Sequence, residues 1–72
     1  MDWRERITVD PEVMGGRPCI RGMRFPVATL LQLLKHQTPE EILQEFPYLE
    51  REDLEAALDF AAYLAEGREV VL

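Results

Sequence analysis

Apolar and polar positions change their spacing near Val27. Behind that point they repeat at helical intervals; ahead of it they scarcely repeat at all. Val27, Leu30, Leu31 and Leu34 fall at i, i+3, i+4 and i+7, which predicts a first helix from about Val27 to His36, entered through Pro26. Thr38, Pro39 and Glu41 then supply an N-cap, a first-turn proline and the third-position acid of a capping box. A second helix follows, with Ile42, Leu43 and Phe46 as its apolar face, and Pro47 stops it near Glu45 or Phe46. A third helix is predicted from about Arg51 to Glu66, closed by Gly67. Its apolar stripe is read as Leu54, Leu58, Ala61 and Leu64, widened by Ala57, Ala62 and Ala65.

Residues 1–26 read differently. Ile7 and Val9 alternate within Arg6 to Asp10, a short strand signal. Gly15, Gly16 and Gly22, with Pro11, Pro18 and Pro26, mark tight turns, and a turn or hairpin at Arg21-Gly22 would join two brief extended segments. The expected fold is mainly α: a three-helix, helix-turn-helix-like bundle with a short N-terminal β arm or hairpin. One domain spans residues 1–72, divided into an arm (1–26), a helical core (27–66) and a short tail (67–72).

Seventy-two residues bury only roughly 60% of the surface that the unfolded chain exposes. One cysteine, Cys19, excludes an internal disulfide, and one Cys with one His (His36) does not make a structural zinc site within one chain. Self-association is the common remedy for so small a core, so a homodimer is expected. No run is long and apolar enough for a transmembrane helix, and the N-terminus lacks the apolar stretch of a signal peptide. A cytoplasmic location and no membrane partner are therefore expected, and no cofactor or metal is called for.

Charge separates the two halves. The chain carries a net −6. Residues 1–26 hold five arginines against four acids, a net +1, while residues 27–72 hold three cations against ten acids, a net −7. Phosphate contacts, if made, belong to the arm. Arg17, Arg21 and Arg24 are its candidates, since a guanidinium fork suits phosphate oxygens and guanine edges. The competing reading pairs these arginines with acids of the helical half. A third helix with Arg51 against Glu52, Asp53, Glu55, Asp59 and Glu66 is poorly suited to a DNA groove and reads as a solvated acidic face.

The ordered set GGRPCIRGMRFPV, TPEEIL, then FP followed by the acidic helix LEREDLEAALDFAAYL resembles domain-of-unknown-function family 433 over about residues 7 to 72. Met23 stands where that family more usually has threonine. The resemblance implies a small helix-turn-helix-like protein, often encoded beside a PIN-like nuclease toxin and treated as its antitoxin. The leading expectation is an antitoxin-like protein that neutralises such a toxin and binds operator DNA to repress its own operon. The rivals are a free-standing dimeric DNA-binding regulator and a structural interaction module.

Partner contacts are assigned to Tyr48 and Tyr63 as aromatic anchors, against the plainer role of edging a small core. The tail supplies Arg68, whose cation suits an acidic metal site, and Val70 and Val71, which suit strand addition to a partner sheet. Trp3 is either a lid on an apolar patch or an interface anchor. Cys19 reads as a small buried hydrophobe and His36 as a helix-end residue. With no nucleophile elbow, phosphate loop or metal-ligand spacing, no enzymatic activity is expected.

Overall fold

Helix α3, Arg51–Ala65, organises the molecule. The computed structural model describes residues 2–67. Strand β1 (Ile7–Thr8) pairs antiparallel with β2 (Cys19–Ile20), with Ile7 opposite Ile20 and Thr8 opposite Cys19. Helices α1 (Val27–Leu33) and α2 (Pro39–Glu45) follow. The fold is mainly α, with a two-stranded antiparallel pair ahead of three helices. The α3 helix packs against α1, α2, β1 and a single 3-10 turn at Trp3–Glu5.

Local chemistry explains each boundary. The Thr38 hydroxyl accepts from the Glu41 N–H at 3.2 Å while the Glu41 carboxylate accepts from the Thr38 N–H at 2.8 Å, the reciprocal capping box. Pro47 ends α2 one residue beyond the Phe46 cap. The first helix is shorter than predicted. It ends at Leu33, and the Lys35 and His36 N–H groups bond three residues back to Gln32 and Leu33, so the last turn tightens to 3-10 geometry. At the end of α3, Gly67 adopts φ 83° and its N–H bonds to the Leu64 carbonyl.

The arm is mostly turn. Its strands are two residues each, shorter than the predicted Arg6 to Asp10 segment, because the chain bends away after Thr8. The Met23 N–H closes a turn onto the Ile20 carbonyl at 2.8 Å, with positive φ at both central residues, Arg21 (45°) and Gly22 (73°). That is the type I′ pattern, in which glycine is favoured and arginine is not. The returning chain bridges Pro26 to Cys19.

The core gathers Ile7, Ile20 and Phe25 from the arm, Val27 and Leu30 from α1, Ile42 from α2, Leu49, and Leu54, Ala56, Ala57 and Phe60 from α3. Cys19 is fully buried. The predicted stripe on α3 is corrected here. Leu58 is 52% exposed and Leu64 42%, while Ala56 and Phe60, absent from that stripe, are buried. The buried face is centred on Asp53, Ala57 and Phe60, turned away from Leu58, because the N-terminal turn and β1 cover that side.

Candidate functional site

A buried carboxylate ties the arm to the helices. Asp53 lies in the first turn of α3 with no solvent exposure. Arg21 donates from Nε to both of its oxygens, at 3.0 and 3.2 Å, and from Nη2 to Oδ2 at 2.9 Å. Arg6 Nη1 donates to Oδ1 at 3.0 Å and the Glu50 N–H to Oδ2 at 2.8 Å. Arg6 also pairs with Glu50, and Arg21 Nη2 donates to the Tyr48 carbonyl at 2.8 Å. Burial pushes the Asp53 carboxyl upward. The hydrogen bonds from Arg21, the Glu50 N–H and Arg6 outweigh that effect and hold it below the ordinary aspartate value.

This arrangement corrects two sequence readings. Asp53 is an internal anion, not part of a solvated face. Arg21 is its partner, so its guanidinium is engaged within the chain and is not a free phosphate contact. The signal for Asp53 was present: it stands four and seven residues before Ala57 and Phe60, on the buried side. Arg6, which sequence reasoning passed over, is the second cation of the same cluster.

Arg17 and Arg24 are exposed, and neither has a hydrogen-bond or ion-pair partner among the described residues. Arg17 borders a groove beside Ala61, Leu64 and Ala65, whereas Arg21 sits at Asp53. Eight residues of α3 separate Asp53 from Ala61, about 12 Å along the axis, so Arg17 and Arg21 lie against different parts of that helix. Of the five arginines ahead of Val27, Arg4 pairs with Asp2 at 3.3 Å, and Arg6 and Arg21 are held by Asp53. The free positive charge of the described arm is therefore two guanidiniums.

Tyr48 is 54% exposed and forms the outer member of an edge-to-face cluster with Phe25 and Phe46. Tyr63 is half-buried beside Trp3, their rings 5.2 Å apart, and Arg4 lies over both rings. Trp3 meets Phe60 edge-on at 4.9 Å, so it acts as a lid on the core. Arg68, Val70 and Val71 lie outside the described residues. His36 is exposed just past α1.

Two surfaces stand out among the described residues. One is an apolar groove of about 500 Å³ between α1 and α3, walled by Val27, Ala28, Leu31, Phe60, Ala61, Leu64 and Ala65, with Pro18, Pro26 and Arg17 at its arm side. The other is the exposed acidic edge of α3, where Glu52, Glu55 and Asp59 recur at helical spacing. Among the described residues no group of three or more His, Cys, Asp or Glu could hold a metal ion, and no helix is long and apolar enough to cross a membrane.

The model of the family described as "Protein of unknown function (DUF433)" matches residues 7–61. That span takes in both strands, all of α1 and α2, and most of α3 with Asp53 and its Arg21 partner. No curated protein and no solved structure matches the chain.

Proposed function

We propose that this chain, which belongs to the DUF433 family, is a non-enzymatic, cytoplasmic protein-binding module, the antitoxin-like member of a type II toxin–antitoxin pair. It neutralises a PIN-like nuclease and, as a homodimer, contacts operator DNA. The observation that carries the protein-binding part is the acidic edge of α3, where Glu52, Glu55 and Asp59 are exposed at helical spacing. Opposite potentials speed encounter with a basic surface and exclude acidic ones. Tyr48 adds an exposed ring. Within this reading Arg68 of the tail reaches the acidic metal site of the nuclease, and Val70 and Val71 add a strand to the edge of its sheet.

The test is direct mixing of the purified chain with the nuclease-like product of the adjacent gene. A complex that survives gel filtration at micromolar concentration, and that weakens on Glu52→Lys with Tyr48→Ala, positions outside the contact between copies argued below, supports the reading. No complex at that concentration sinks it.

The exposed Arg17 and Arg24 favour a second reading, a free-standing DNA-binding regulator. Two free arginines per chain make four in a dimer whose contact leaves Arg17 exposed. Binding then falls with salt at a logarithmic slope of about −4. Arg17→Ala with Arg24→Ala abolishes it while the fold stays intact. A purely structural module binds neither nuclease nor DNA.

A further inference from the structure

We propose that the groove between α1 and α3 receives α3 of a second copy of this chain, in a two-fold symmetric dimer. The groove's own wall carries the matching ridge. Going round α3 from the core, Ala61 and Ala65 face the groove, Leu58 protrudes next, and Glu55 and Asp59 follow on the acidic edge. Leu58 and Leu64 are two of the three exposed large hydrophobics among the described residues. Knobs (Leu58, Leu64) and holes (Ala61, Ala65) therefore lie on one helix, which is what a self-complementary contact requires. Small side chains at i and i+4 let a second helix approach closely.

Charge selects the same occupant. Arg17 lies at the arm-side rim of the groove with no partner among the described residues. Glu55 and Asp59, further round α3, are likewise exposed and have no partner among the described residues. When α3 of the second copy enters with its acidic edge toward the α1 side, those carboxylates meet Arg17, and the two-fold axis repeats the pairing. Three groups left idle in one copy are satisfied in two. Arg17 then serves the contact between copies, and Arg24 is the one arginine left for phosphate among those described.

This inference rests on the dimer in the functional reading above, but not on the nuclease, so the two fail separately. Sedimentation equilibrium of the full chain alone, in the micromolar to tens-of-micromolar range, tests it. The expected result is a dimer, with Leu64→Glu and Arg17→Glu each raising its dissociation constant about tenfold or more. Leu58→Glu, at an exposed position outside the core, decides the matter if Leu64→Glu loses helical circular dichroism. A monomeric wild-type chain overturns the proposal and leaves the groove to the chain's own residues 68–72 or to an unlike partner. A dimer untouched by these substitutions overturns it too, because another face is then in use.

Discussion

Arg21 of the hairpin turn grips the fully buried carboxylate of Asp53, 32 residues further along the chain, through Nε and Nη2. The contact holds a left-handed arginine, φ 45°, at a turn position where glycine or asparagine is the ordinary choice. A non-glycine residue in that conformation costs roughly 1–2 kcal/mol. The ion pair offsets the strain, so turn geometry and helix docking support one another.

Removing the anion leaves two cations without their shared partner. Asp53→Ala is expected to destabilise the chain by about 3 kcal/mol, the low end for a broken buried pair, since Arg6 and Arg21 both reach solvent. A chain of this length is stable by roughly 4–10 kcal/mol, so urea denaturation would register that loss as a large fall in midpoint. A change within about 0.5 kcal/mol would show that the cluster contributes little.

The turn allows two opposed effects to be weighed. Arg21→Gly relieves the backbone by about 1 kcal/mol but removes the grip on Asp53, worth about 2 kcal/mol, so a net loss near 1 kcal/mol is expected. Gly22→Ala isolates the backbone effect. Nothing lies within 4 Å of the added methyl, yet φ is 73°, so a loss of about 1 kcal/mol arises from conformation alone. A stabilised Arg21→Gly protein would mean that the ion pair does not repay its strain.

Stability should depend on pH through Asp53. Its folded pKa lies below its unfolded value, near 3.9, so its contribution is fully present above about pH 5. That contribution is lost as pH falls through the unfolded value and then the lowered folded one. Asp2 and Glu40 shift in the same direction, but both are exposed and screened. Thermal melts from neutral pH down to pH 3 should therefore decline, and Asp53→Asn should flatten that limb. An unchanged slope in the variant would assign the acid sensitivity to other groups.

The capping box of α2 offers a local control. Thr38→Ala removes the acceptor for the Glu41 N–H and should cost about 1 kcal/mol by chemical denaturation. Helix α2 spans seven residues, so its amide protons should exchange faster while those of the middle of α3 change by no more than global stability requires. Uniform acceleration everywhere would mean that α2 does not open independently.

Helix existence was legible because caps, prolines and apolar spacing act within a few residues of one another. Thr38, Pro39, Glu41, Pro47 and Gly67 carry their meaning locally, and α2 starts at, and α2 and α3 end within two residues of, those signals. Faces were less legible. Leu58 is in phase with Leu54 and Ala61, and only the placement of the N-terminal turn and β1 decides that the covered side runs through Ala56 and Phe60.

What the chain determined by itself was short-range: three helices with their starts, the stops of α2 and α3, the turn at Arg21-Gly22, and the split of charge about Val27. Which arginines stay free was a tertiary decision. Arg17, Arg21 and Arg24 are alike in sequence, but only Arg21 is carried to the first turn of α3, where Asp53 loses its water and gains two guanidiniums. Desolvation and pairing depend on groups tens of residues apart, and no local pattern encodes that distance. The same holds for the groove, which exists only once α1 and α3 lie side by side.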